Sequence, residues 1–256
     1  MSGKNIVKRF GYIFEYFVLV AAIIVFWMIM DKTDNLNPVV MPSLKKIITT
    51  CKGLFKNGSL LKHTCISLSR VLQGYAVSAI LGILIGIFIG LSKHLDRITK
   101  LLIQIIKPIP PIAWIPLVIL WFGIGESGKI FLIFLGGFFT ILINVIDGIK
   151  QTDPNLMEVS KIYETPLWKH IIKLVIPSAA PNIFTGLRTG LTSCWMCVVA
   201  AELVSSTTGL GYMIMDARQY GQTDVVIVGM ITIGLVGKVM DSLLHFIERK
   251  VVVWSN

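Results

Sequence analysis

The chain has 256 residues, of which 54% are hydrophobic and 15% charged, with a formal net charge of +10 and a mean hydropathy of +0.77. This composition excludes an ordinary soluble domain and predicts an all-α integral membrane protein with one domain over residues 1–256. The basic residues lie in short clusters beside apolar windows, so we expect positive cytoplasmic loops and no nucleic-acid partner. The sequence has no G-x-x-x-x-G-K-[ST] loop and no cluster with metal-ligand spacing, so we expect no catalytic residue, cofactor or metal in this chain.

Six apolar windows are long enough to cross a hydrocarbon core, which takes about 20 residues. They are residues 12–30, 72–91, 101–122, 130–149, 182–204 and 224–246. Lys4, Lys8 and Arg9 precede the first window, so both chain ends are predicted to be cytoplasmic. Ser92–Lys100 is then a short cytoplasmic turn, and residues 205–223 form an outer re-entry loop.

The first loop contains an amphipathic segment, Leu44–Phe55, which follows Met41-Pro42-Ser43. Apolar residues fall on one side of it and lysines mostly on the other, which predicts a helix in the membrane interface. The lysines are Lys45, Lys46, Lys52 and Lys56. The predicted topology places them outside, against the positive-inside trend.

Two of the spans carry backbone signals. In the second, Ser78, Gly82, Gly86 and Gly90 repeat every four residues. Small residues on one face let another helix approach closely, so we favour packing over a substrate groove. In the third, four prolines predict a kinked or broken helix of the kind that lines transport pathways. They are Pro108, Pro110, Pro111 and Pro116.

The fifth span places Arg188, Trp195 and Glu202 seven residues apart, on one helical face. Arg188 and Glu202 lie too far apart to pair with each other. Either they form a polar stripe along a translocation path, or each reaches interfacial water or pairs with a neighbouring span. In the sixth span, Lys238 and Asp241 are close enough to pair.

Residues 153–177, which we call the elbow, form the longest polar interruption in the C-terminal half. Asp153 is a candidate N-cap for a first amphipathic helix, and Pro166 interrupts the pattern. A second amphipathic piece, Leu167–Ile176, is expected to end at Pro177 and Pro181. Two short helices with a bend indicate a surface that docks on a partner; a solvated connector is the alternative.

The elbow resembles the EAA loop of permease subunits in ATP-binding-cassette (ABC) importers, on Glu158-Val159-Ser160 and the later Ile176-Pro177. The resemblance implies a coupling helix that sits in a groove of a cytoplasmic ATPase subunit. Glu164 occupies the usual glycine position, so we expect the bend to rest on Thr165–Pro166. The implied coupling residues are Glu158, Val159, Ser160, Lys161, Tyr163, Glu164, Thr165, Pro166, Leu167 and Pro177.

A second resemblance is to the nitrate, taurine and aliphatic sulfonate permeases. It rests on P-x-P-P-x-A-W-x-P-L-x-x-x-W-F-G-x-G-x-x-x-K at residues 108–129, V-A-A-E-L at 199–203 and G-L-G-Y-M at 209–213. It implies the type I ABC importer permease fold in a bacterial inner membrane. The implied translocation residues are Pro110, Trp114, Arg188, Trp195 and Glu202.

The same resemblance implies partners: a second copy in a homodimer, two ATPase subunits that bind ATP and Mg, and an extracytoplasmic solute-binding protein. The implied solute is a small anion. Taurine or another aliphatic sulfonate is favoured, with nitrate, bicarbonate or another oxyanion as the alternative. A secondary transporter or channel would need several ionisable groups in mid-membrane, and a membrane enzyme would need a catalytic constellation.

Overall fold

The structure, a computed structural model, describes residues 18–19, 21–31, 33, 40–153, 155, 158, 160, 162–163 and 165–251. All regular structure in these residues is helical. In chain order the helices are α1 Ala21–Asp31, α2 Leu44–Lys56, α3 Ser59–Leu91, α4 Lys93–Ile106, a 3-10 turn Pro111–Trp114, α5 Ile115–Phe122 and α6 Glu126–Lys150. A long helix, α7, follows, and after it come α8 Leu210–Gln219 and α9 Thr223–Val251. α7 runs without interruption through Leu167–His170, a π-helical turn Ile171–Val175 and Ile176–Ser205.

Four helices in the described part of the chain are long and apolar enough to cross a membrane: α3, α6, α7 and α9. α4 and the segment Pro111–Phe122 form a fifth candidate, broken by a bend of 86°. The predicted break in the third window is therefore confirmed, and its crossing of the membrane stays a prediction. Most of residues 12–20 lie outside the described residues, and the described part of the first window is the apolar helix α1. The count of six spans stays a prediction.

The expected turn over Ser92–Lys100 is wrong, because helix α4 already begins at Lys93. Ser92 alone separates it from α3, and its side chain accepts a hydrogen bond from the Leu95 amide as an N-cap. The amphipathic helix of the first loop is confirmed as α2. Its N-cap is Ser43, which accepts from the Lys46 amide, and Ile47 is buried in the core.

Helix α6 lies at the centre of the bundle, between α3 and α7. The glycine repeat of α3 faces it with a constant offset of 59 residues, so Gly82 meets Ile141 and Gly86 meets Val145. A constant offset means that α3 and α6 run parallel. A Cβ atom on Gly86 would lie 2.8 Å from Val145, which confirms close packing as the role of this repeat.

Helix α7 also packs on α6 and runs antiparallel to it. Gly148 meets Asn182, Gly186 meets Asn144, and Gly137 meets the sulfur of Cys194. Small residues thus alternate with larger ones along both faces of α6. The cysteine sulfur fills space there, as expected for a cysteine within an apolar helix.

The expectation that Pro177 and Pro181 end the second elbow helix is wrong. Helix α7 continues through both prolines, because the π-helical turn precedes them. The amide of Ile176 donates to the carbonyl of Ile171, five residues back. Such local widening compensates for backbone groups that a proline leaves unpaired. The second arm of the elbow and the fifth predicted span are therefore one helical body.

Candidate functional site

The elbow is held in its bent shape by hydrogen bonds across the bend. Asp153 caps the first arm, since its carboxylate accepts from the Asn155 amide at 2.8 Å. Thr165 donates its amide to the Ser160 carbonyl at 3.1 Å. Ser160 Oγ and His170 Nδ1 share a hydrogen bond of 2.7 Å, which joins the first arm to the second. Thr165 and Pro166 are the non-helical residues at the bend.

The elbow exposes large apolar side chains. Tyr163 is 79% exposed and Trp168 is 60% exposed, with Ile162 beside them and also exposed. Lys169 Nζ lies 5.3 Å from the centre of the Trp168 ring, and Glu158 is exposed on the first arm. An apolar patch with a charged edge is typical of a surface that binds another protein.

Three of the implied coupling residues, Val159, Lys161 and Glu164, lie outside the described residues. The other seven fall into two groups. Glu158, Ser160, Tyr163, Thr165 and Pro166 belong to the first arm and the bend. Leu167 begins helix α7, and Pro177 lies inside it.

The second arm is anchored directly to the centre of the bundle. Val175 and Ala179 of α7 are buried against Ile149 and Val145 of α6. Nearby, the Asn182 side-chain amide donates to Gln151 Oε1 at 3.1 Å. Because interiors are close-packed, a displacement of the elbow must be transmitted to α6 and α7.

Arg188 lies at the end of the bundle that carries the elbow, the elbow end. It donates to Asp241 at 3.1 Å and to Glu248 at 3.1 Å, and its side chain is partly exposed. Lys238 lies 3.9 Å from Asp241, so the pairing expected from their spacing is confirmed. Arg188 therefore links α7 to α9.

The broken third span borders a cavity of about 140 Å³ against α6. Trp114 lines this cavity, and the Pro110 carbonyl accepts from the Ala113 amide at 2.9 Å within the 3-10 turn. A second cavity, of about 180 Å³, lies between α7 and α9 and is lined by Trp195 and Asp241. Trp195 is itself buried, and its indole Nε1 donates to the Ile233 carbonyl at 3.0 Å.

Glu202 lies at the opposite end of the bundle, the far end, in a cluster that the sequence analysis missed. Its carboxylate accepts from Arg70 at 2.7 Å, from Ser67 at 2.8 Å and from the Gly211 amide at 2.9 Å. Arg70 also forms a two-pronged pair with Glu126, at 2.7 and 2.6 Å.

Helices α3, α6 and α7 and the segment before α8 meet in this cluster. Lys129 Nζ donates to Glu126 at 2.9 Å, and Arg70 also donates to the Thr208 carbonyl at 2.7 Å. Two cations and two carboxylates balance in charge; the pair of Arg70 with Glu202 is buried, whereas the Glu126 side chain is 58% exposed. One feature of the sequence could have indicated this cluster: Arg70 and Glu202 carry opposite charges at the same predicted membrane face.

Arg188 and Glu202 thus each pair with residues of neighbouring helices. This is the second of the two interpretations given for them in the sequence analysis. They lie near opposite ends of α7 and do not contact each other. The assignment of Pro110, Trp114, Arg188, Trp195 and Glu202 to a translocation path stays a prediction.

Comparisons with known proteins identify the family and the fold. A family model described as "Binding-protein-dependent transport system inner membrane component" matches residues 82–253, and the chain belongs to this family. A putative ABC transporter permease protein of Methanocaldococcus jannaschii is 42% identical over 243 residues, which cover 93% of this chain and 91% of the relative. The putative aliphatic sulfonates transport permease protein SsuC of Bacillus subtilis is 40% identical over 249 residues, which cover 97% and 90%.

The bicarbonate transport system permease protein CmpB of Synechococcus elongatus is 36% identical over 199 residues, which cover 77% of this chain and 69% of the relative. Among solved structures, a chain of the MetNI methionine ABC transporter in inward-facing conformations matches with a TM-score of 0.63 at 19% identity. That match covers 76% of this chain and 94% of the other. The all-α, type I ABC importer permease fold is confirmed, and the chain is a permease subunit of an ABC importer.

Proposed function

We propose that this chain forms half of the pore of an ATP-driven importer in a bacterial inner membrane, and that the elbow receives work from a separate ATPase subunit. One observation carries the proposal: the elbow is fixed at its bend and exposes Tyr163 and Trp168, and its second arm is part of the continuous helix α7. A stiff segment with a free apolar surface at one end and a buried anchor at the other suits a mechanical coupling.

Two copies of the chain would enclose the pathway, with one ATPase subunit on each elbow. ATP and Mg would bind in those ATPase subunits. Closing of the ATPase pair would displace both elbows, and each would carry α7 with α6, because these helices interlock. The bend of 86° in the third span offers a hinge against this body. ATP would shift the bundle from inward-open to outward-open by favouring one of two states.

The proposed solute is a small anion, and taurine or another aliphatic sulfonate is favoured. The relative of Bacillus subtilis named for aliphatic sulfonates, 40% identical over nearly the whole chain, supports this choice. Nitrate, bicarbonate or another oxyanion is the alternative, which the bicarbonate relative supports. An extracytoplasmic binding protein would deliver the solute, so the ligand that co-purifies with that protein would decide between them.

The docking role can be tested by truncating the exposed aromatic side chains of the elbow. Tyr163→Ala and Trp168→Ala should each weaken ATPase binding by roughly 2 kcal/mol, about thirtyfold, as for aromatic anchors at interfaces. Leu120→Ala is the matched control, since Leu120 on α5 is also 79% exposed but lies outside the elbow. Each variant is purified with a tagged ATPase subunit, and the retained permease is measured. Equal retention for all three variants would refute docking at the elbow.

A further inference from the structure

An apolar groove lies on the described part of the chain away from the elbow. It has a volume of about 460 Å³ and lies between α2, the start of α3 and the N-terminal half of α9. This volume is within the range of small-ligand sites, roughly 300–1,000 Å³. α9 is one of the candidate spans, and Ile231 and Leu235 on its groove face are 51% and 64% exposed, so we expect this face to meet lipid. Its lining includes Ile48, Cys51, Phe55, Thr64 and Thr232.

The groove presents almost only hydrocarbon. Its two hydroxyl groups are already used within their own helices: Thr64 donates to the Leu60 carbonyl at 2.7 Å and Thr232 to the Val228 carbonyl at 2.8 Å. The thiol of Cys51 is the remaining polar group among the groove residues, and this cysteine is free and exposed. A solute that needs hydrogen bonds would find none inside the groove, whereas an acyl chain needs none.

The edge of the groove is basic. Lys45 lies three residues before Ile48 and Lys52 four after it, so both neighbour Ile48 on the surface of α2. Lys52 also precedes Phe55 by three residues, and Lys56 lies one helical turn after Lys52. Among the described residues, no carboxylate lies within ion-pair distance of Lys45, Lys52 or Lys56, whereas Lys46 lies 3.9 Å from Asp224.

We propose that this groove binds one anionic phospholipid, with an acyl chain along Ile48, Cys51 and Phe55 and the phosphate on Lys45, Lys52 and Lys56. The apolar stripe and the adjacent lysine stripe match the two parts of such a lipid. Lipid binding also accounts for lysines on a face where the predicted topology disfavours them. The site requires only that the chain lies in a membrane, and it holds whatever solute is imported.

Two free cysteines provide the probe and its control. Both cysteines are exposed. Cys51 lines the groove, whereas Cys65 lies on the neighbouring helix α3 and does not line it. The full chain is reconstituted in phosphatidylcholine vesicles with increasing phosphatidylglycerol, and maleimide labelling of both cysteines is followed by mass spectrometry. Phosphatidylglycerol should slow labelling of Cys51 relative to Cys65. Water-soluble glycerophosphoglycerol, which has the headgroup but no acyl chain, should give no protection.

Lysine variants test the basic edge. Lys52→Gln should raise the phosphatidylglycerol fraction that halves Cys51 labelling by about fivefold, the equivalent of about 1 kcal/mol for one basic side chain near anionic lipid. Combined Lys45→Gln, Lys52→Gln and Lys56→Gln should abolish protection. The control replaces Lys93, Lys100 and Lys107 of the α4 region with Gln and should keep it.

Three results would overturn the proposal. The first is equal labelling of Cys51 with and without phosphatidylglycerol. The second is protection that survives the triple change on α2. The third is protection by the extracytoplasmic binding protein in the absence of lipid, which would assign this face to a protein partner.

Discussion

Arg70 and Glu202, 132 residues apart in the chain, form an ion pair of 2.7 Å with side chains only 4% and 0% exposed. Arg70 also holds Glu126, so a single guanidinium joins α3 to the first residue of α6 and to the far end of α7. The segment before α8 is tied to the same group through Thr208. The three central helices are therefore fixed to one another near the far end of the bundle by charge as well as by packing.

Removal of the guanidinium should destabilise the fold strongly. Arg70→Met leaves the Glu202 carboxylate buried without its cation, which costs about 3–5 kcal/mol for a broken buried pair. Lys150→Met is the control. It breaks the partly exposed pair of Lys150 with Asp96, 2.6 Å long, and should cost at most about 1 kcal/mol. Thermal unfolding in detergent measures both, and equal losses would contradict a special role for the far-end cluster.

The contact between α3 and α6 predicts an unusual response to alanine. In an exposed helix, Gly→Ala adds up to about 1 kcal/mol of stability. Gly234→Ala on α9 should follow this rule, because no atom lies within 4 Å of a Cβ there. Gly86→Ala should instead destabilise by about 1–3 kcal/mol, because its Cβ would lie 2.8 Å from Val145.

A second substitution tests the cause of that loss. Val145→Ala removes Cγ1, one of the two Val145 atoms that lie 2.8 Å from a Cβ at Gly86, and leaves the other, the Val145 Cβ. The double variant should therefore recover part of the stability lost by Gly86→Ala alone. Strictly additive losses, measured by thermal unfolding, would show that the two residues do not interact.

The glycine repeat of α3 shows how much of the helix packing could be predicted from the sequence. The spacing of Gly82, Gly86 and Gly90 predicted a close helix–helix contact, and the structure confirms one. The partner helix and its constant offset could not be predicted, because α6 offers no matching repeat of glycines. Ile141 and Val145 occupy the facing positions, and such residues occur on every face of a membrane helix.

Two further features depend on tertiary contacts. Pro177 predicts a helix end, since proline removes a backbone donor. The π-helical turn that carries α7 past it is fixed by Val175, which is buried against α6. Arg70 lies just before an apolar window, where a basic residue is ordinarily assigned to solvent. Its true environment depends on Glu126 and Glu202, which the chain brings in from far away.

Arg188 allows a test of the translocation path. Its partly exposed pairs with Asp241 and Glu248 should contribute little to folding, so Arg188→Gln should change stability by at most about 1 kcal/mol. If the guanidinium contacts the passing anion, uptake should fall about tenfold or more, since hydrogen bonds to charged groups contribute about 1.5–3 kcal/mol. Lys238→Gln is the control, because Lys238 faces the same Asp241 from an exposed position. Unchanged initial uptake in proteoliposomes with Arg188→Gln would remove this residue from the path.

The elbow should separate ATP hydrolysis from uptake when its first arm is altered. Glu158→Lys reverses an exposed charge on the proposed docking face, and Ile162→Pro removes a backbone donor from the arm and clashes with its preceding turn. Neither change touches the buried anchor of α7 at Val175, so the bundle should unfold at its usual temperature. In complexes reconstituted with the ATPase and the binding protein, hydrolysis should continue while uptake is lost. Asp31→Lys, an exposed charge reversal at the end of α1, should leave both activities coupled. Full uptake by both elbow variants would mean that the work of the ATPase enters the bundle elsewhere.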